Sequence, residues 1–194
     1  MTLNEPNFDW INLPPDAIPE SLWVFLHDGE LLSIRSDLLR RTIDLEVDVP
    51  HIHEHLQLEK EVPFVLRLQN VESARFITWV VWPGPSPEVQ GKPMEEQNRL
   101  IAEYHSKWRE ESVSWNTFEA AFSTHRFDIS HAEIARQKSS VALQMVGSLD
   151  GGEFYDQFFR FFIRAGEIAI EQNNDIAGSI EHFLEVGRNY WESL

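Results

Sequence analysis

The chain has 194 residues, and its 32 acidic against 16 basic side chains give a formal net charge of −16. That balance repels phosphate backbones and sets nucleic acid aside as a partner, while the lack of any cysteine excludes disulfides, thiolate metal sites and thiol nucleophiles. Hydrophobic residues at 42% and aromatic residues at 12% can fill a packed core, so a disordered chain is excluded as well.

The start, MTLNEPNFDWINLPPD, is acidic and proline-rich, without the basic and apolar regions of a signal peptide. No apolar run approaches the roughly 20 residues that a membrane helix needs. The expectation is a cytoplasmic protein whose residues 1–194 form one domain.

Residues 1–20 carry Pro6, Pro14, Pro15 and Pro19 and read as an extended arm, pinned by Phe8, Trp10, Ile11 and Leu13. LWVFL (22–26) reads as a short buried strand, HDGE (27–30) as a turn, and LLSIRSD (31–37) as a second strand. In RTIDLEVDV (41–49), Ile43, Leu45, Val47 and Val49 alternate with Thr42, Asp44, Glu46 and Asp48. A period of two predicts a strand with one face in the core and one in water. Pro50 stops that pattern, and PFVLRLQ (63–69) and ARFITWVVW (74–82) read as a hairpin about 70–73, completing a β-rich half over 21–82. PGPSPEVQGKP (83–93) is a linker by its proline and glycine content.

The period changes at Met94: Met94, Gln97, Ile101, Tyr104 and Trp108 share one helical face, which predicts an amphipathic helix over 94–111. SVSWNTFEAAF (112–122) and SSVALQMVGSL (139–149) read as strands, and DGG (150–152) as a turn. In 153–172, Phe154, Phe158 and Phe162 fit a helix, but β-formers dominate and Gly166 would interrupt one, so a strand pair about Ala165-Gly166 is favoured. NNDIAG (173–178) reads as a loop. Ser179 is the expected N-cap of a helix over 179–192, with Ile180, Phe183, Leu184, Gly187 and Trp191 on one stripe. Strands, helix, strands and helix in that order imply an α+β fold: a largely antiparallel sheet or sheets, or a partly open barrel, with two amphipathic helices packed on it.

HIHEHL (51–56) is the most chemical-looking stretch. On a continued strand His51, His53 and His55 would project to one side and could hold zinc, with water in the fourth position. The spacing does not fit the cupin pattern, since Glu54 is too close to the His-x-His pair and Glu59 too far. The competing reading is a solvated connection: Pro50 ends the strand, charged EKE (59–61) follows, and the three imidazoles splay into water. That reading is favoured. Such a loop would also be pH-sensitive, because histidine titrates near neutrality.

Asp44, Glu46 and Asp48 lie on one strand face, where carboxylates could hold calcium or magnesium or divide into acid and base. Alternation alone places polar residues there, so a solvent face is favoured. His27 and Asp28 read as part of a turn and not as a catalytic pair. The sequence holds no Gly-x-Ser-x-Gly, Walker A, Gly-x-Gly-x-x-Gly or His-Glu-x-x-His motif, and nothing in it calls for a cofactor. Core packing is the first account of the 7 tryptophans, and a groove for a partner's side chains the sharper one.

The segment SLWVFLHDGELLSIRSDLLRRTIDLEVDV, which opens the stretch 21–82, resembles the start of small bacterial β-rich domains with a His-Asp-Ala/Gly turn, such as the immunity protein 50 family. The resemblance implies a non-enzymatic binding module that neutralises a toxin, with His27, Asp28 and Gly29 as markers of its first turn and no catalytic residues to carry over. The helix at 94–111 and the long second half lie outside a minimal domain of that kind. The expected function is therefore binding of a basic protein partner, drawn by the acidic field. The alternatives are a metal-dependent enzyme using the 51–55 histidines and a small-molecule binder with a cavity lined by the aromatics of 154–162 and 76–82. The aromatic strands could also feed a homodimer interface.

Overall fold

The computed structural model describes residues 18–37, 39–57, 62–80, 87–107, 109–114, 126–137, 139–150, 158–172 and 176–193. The chain runs β1 (Ile18–Ser21), α1 (Trp23–Leu26), β2 (Glu30–Asp37), β3 (Thr42–Asp48), α2 (Pro50–His55), β4 (Phe64–Gln69), β5 (Ser73–Val80), α3 (Met94–His105) and β6 (Arg109–Val113). It continues through β7 (Arg126–Gln137), β8 (Ser140–Asp150), β9 (Phe158–Ala165), β10 (Glu167–Gln172), β11 (Ile176–Gly178) and α4 (Ile180–Glu192). The fold is α+β, as the order of patterns implies.

All pairings are antiparallel, along one path, β11-β10-β4-β3-β2-β7-β8-β9-β5-β6, with β1 added on β7. The end strands β11 and β6 do not pair with each other, so the sheet is open and not a closed barrel. Of the 11 strands among the described residues, only β1 and β11 are shorter than five residues. Inward residues from both ends of the path, among them Leu45, Leu66, Leu143 and Phe161, belong to one buried core. No helix among the described residues is long and apolar enough to cross a membrane.

Strand β3 forms as its alternation predicts: Ile43, Leu45 and Val47 are buried, and Asp44, Glu46 and Asp48 lie on the outer face. The expected hairpin between 63–69 and 74–82 does not form. β4 and β5 make one bent run that pairs with the equally bent run of β10 and β9, so that Gln69 faces Glu167 and Ser73 faces Arg164. The backbone N–H groups at the bend bond outward, Val71 to the carbonyl of Arg41 in the turn before β3 and Glu72 to that of Arg164 in β9, which keeps the chain from folding back on itself. For the same reason the two strands of 153–172 are present but do not pair with each other.

Three further expectations change. LWVFL is not a strand: Leu22 still bonds the Ala132 carbonyl of β7, then Phe25 and Leu26 bond back to Leu22 and close the single turn of α1. The chain rejoins β7 where Ile129 bonds the Gly29 carbonyl. The helix from Met94 stops at His105, and residues 109–113 turn extended as β6, beside β5. The expected loop 173–178 ends in β11. Residues 115–122 of one expected strand, residues 81–82 of another, the arm residues 1–17 and linker residues 83–86 lie outside the described residues.

Candidate interaction surface

HIHEHL is helix, neither strand nor loop. Pro50 sits in the first turn of α2, where a missing N–H costs nothing, and Ile52 and His53 bond back to the Val49 carbonyl. A helix turns about 100° per residue, so residues two apart diverge and residues four apart realign. His53 therefore enters the core. It is fully buried, its ring stacks on Phe64 with centroids 4.8 Å apart, and its Nδ1 stands 3.4 Å from a carboxylate oxygen of Asp48.

His51 and His55 turn the other way, to Tyr190 of α4, with ring centroids at 4.8 and 5.7 Å. Of the three imidazoles expected to splay into solvent, only His55 is exposed; His51 is half-buried. The three are not brought together, and among the described residues no group of three or more His, Asp or Glu side chains is placed to hold a metal ion.

What does converge is a set of rings from α1, α2 and α4. His27, at the C-terminal end of α1, lies 4.8 Å from Trp23, 4.6 Å from Trp191 and 6.5 Å from His51. Trp191 lies 5.6 Å from His51 and 4.9 Å from Tyr190. Local chemistry sets the pieces. Ser179 caps α4, its hydroxyl accepting from the His182 N–H, and the stripe Ile180, Phe183, Leu184 and Gly187 is buried. One turn further on, the same stripe carries Trp191 over the end of α1, where its indole N–H donates to the Val24 carbonyl at 3.0 Å. Trp191 remains 37% exposed, so a fixed tryptophan stands at the surface. Asp28 follows His27 in a left-handed conformation, φ 55°, and its carboxylate is 3.0 Å from His27 Nδ1.

The electrostatics of this corner centre on His51. Its Nε2 is buried with no hydrogen-bond partner. Burial and then the neighbouring His27 hold its pKa below the ordinary value, against the opposing pull of Asp28. A neutral imidazole is thus the form that packs against Tyr190 and Trp191.

The carboxylates of β3 are engaged by neighbours, as an outer sheet face allows. Asp44 takes a two-pronged contact from Arg67 at 2.9 and 3.0 Å, and Arg67 reaches Glu171 of β10 at 2.8 Å. Glu46 takes Arg35 at 2.6 Å and the Ser33 hydroxyl at 2.6 Å, and Asp48 faces His53. The aromatics of the expected cavity divide: Phe76, Phe159 and Phe161 join the core, while Trp82 and residues 154–157 lie outside the described residues.

Comparison of the chain with protein-family models, with curated proteins and with solved structures finds no match. The surface just described therefore carries the functional reading by its own chemistry. Sequence reasoning passed over it because Trp23, His27, His51, Tyr190 and Trp191 come from three separate segments. The nearest signal was the i, i+4 spacing of His51 and His55 opposite a helix ending in Tyr190-Trp191.

Proposed function

We propose that this chain is a cytoplasmic, non-enzymatic binding protein that recognises a basic protein partner, as the immunity-type role implied by the resemblance over 21–82 would require. The observation that carries the reading is the α1–α2–α4 corner with its surface tryptophan. Tryptophan and tyrosine dominate the energetics of protein interfaces. Here the indole is already oriented by its bond to Val24, so little side-chain freedom is lost on contact. The net charge of −16 supplies the second requirement, a field that speeds encounter with a basic surface and disfavours an acidic one.

The experiment is affinity capture from extracts of the native host on the immobilised chain, with elution by a salt gradient and identification by mass spectrometry. The reading predicts one dominant basic protein whose affinity falls steeply as salt rises. A retained protein that is acidic, or whose affinity is unchanged across the gradient, contradicts it.

A further inference from the structure

We propose that the α1–α2–α4 corner is an acceptor for a cationic side chain, arginine or lysine, which lies against Trp191 and Tyr190 and pairs with Asp28. The inference rests on the preceding reading, because it names the chemical group by which a basic partner is held.

Three observations support it. First, Trp191 stays partly exposed at this corner, and arginine and lysine are attracted to aromatic π faces, most strongly to that of tryptophan. Trp191 is 37% exposed, and no lysine or arginine of the described residues lies over its ring. The described cation–ring contact is elsewhere, Arg160 over Phe162 at 5.1 Å. Second, a carboxylate stands at the same place: Asp28 is 80% exposed at its side chain and lies 3.0 Å from Nδ1 of His27, whose ring is 4.6 Å from Trp191. A ring face beside a free carboxylate edge suits a guanidinium, which stacks and hydrogen-bonds at once. Third, the imidazoles at this corner set the charge it offers. His27 and Asp28 face His51 from the end of α1, His53 and His55 from α2 itself, and Tyr190 and Trp191 from α4.

With the imidazoles neutral, the corner is negative through Asp28 and welcomes a cation. Protonation of His51 places like charge beside the incoming group and repels it. The corner is thus open to a basic side chain near neutral pH and closed in acid. Burial and the neighbouring His27 hold the His51 pKa below the ordinary value, so its ring takes up charge only on the acid side of neutrality.

The test follows the indole N–H resonances of the full-length protein by two-dimensional NMR while Nα-acetylarginine methylamide is added, with the citrulline analogue as the neutral isostere. The expected result is a saturable shift of the Trp191 and Trp23 indoles at pH 8, at least threefold weaker affinity at pH 5.5, and no saturable shift with citrulline. Asp28→Asn keeps a residue type that tolerates the left-handed backbone and is expected to lose most of the arginine affinity. Trp191→Phe, a second variant, keeps a ring at the site and is expected to weaken binding severalfold. An equal response to citrulline, an undiminished response at pH 5.5, or no effect of Asp28→Asn overturns the proposal. The two readings fail separately. If the chain captures a salt-sensitive basic partner but arginine leaves the indoles unmoved, this inference falls and the binding reading stands. If arginine titrates the corner but no basic partner is retained, the reverse holds.

Discussion

Gly187 of α4 lies so close to Val24 of α1 that a Cβ added to it would stand 2.4 Å from the Val24 carbonyl oxygen. With the Trp191 bond to the same carbonyl, this contact seats the C-terminal helix on the single turn of α1. Alanine is the better helix former by about 1 kcal/mol, but the obstructing atoms are backbone and cannot swing aside. Gly187→Ala is therefore expected to destabilise the protein by roughly 1–3 kcal/mol. Denaturant unfolding checks this, and a stabilised variant would contradict the seating.

The three histidines of α2 are expected to separate by stability. His53→Ala removes a buried ring stacked on Phe64 and should cost roughly 2–4 kcal/mol, on the scale of other large-to-small core changes. His55→Ala, at an exposed position, should stay within about 0.5 kcal/mol. Chemical denaturation of the two variants side by side reads this directly. Equal effects would mean that α2 is not the helix described.

Acidification should weaken the fold through His51. Its folded pKa lies below the ordinary 6.5, so the unfolded chain takes up the proton first as pH falls. The contribution of the neutral ring is complete above about 6.5 and is lost as the pH drops through the folded value. His51→Phe, which keeps a ring against Tyr190 and Trp191, should flatten this part of the stability profile between neutral pH and the acid side. Unfolding free energies of both proteins measured in steps from pH 8 to pH 5 provide the check, and parallel profiles would rule it out.

Arg67 links three strands through Asp44 and Glu171. The group is partly exposed, so its contribution is modest: Arg67→Met, which retains the apolar stem, is expected to cost on the order of 1 kcal/mol, and less in 1 M salt. Melting temperatures at low and high salt test this, and a salt-independent loss would point to packing instead of charge.

Much of the fold was legible in the sequence, and the exceptions share a cause. Strand β3 and helix α4 could be read because their information is local: a strict period of two in one, and an N-cap serine ahead of an apolar stripe in the other. Strand β7 was missed because its register shifts between Ile129 and His131, so Phe127 and Ile129 fall out of phase with Ala132 and Ile134, although all four are buried. LWVFL has strand composition but becomes helix because the chain leaves β7 at Leu22 and packs under α4, a tertiary effect that propensity does not carry. HIHEHL spans too few residues to reveal a helical period, and Pro50 marks a start as well as a stop. Partner choice at the bend between β4 and β5 depends on strands about a hundred residues away. The candidate surface was the least legible part, because distant segments assemble it and each alone looks like a turn, a polar stretch or a helix end.

The most direct test of the account is the affinity of the captured basic partner for Trp191→Ala beside Leu39→Ser, a change at a position 98% exposed and away from the corner. Truncation of a central interface tryptophan costs at least about 2 kcal/mol, roughly thirtyfold in affinity. The account predicts such a loss for Trp191→Ala, with the folded state verified by its unfolding transition, and unchanged binding for Leu39→Ser. Full affinity in Trp191→Ala, or a loss confined to Leu39→Ser, would contradict the assignment of the α1–α2–α4 corner as the binding surface.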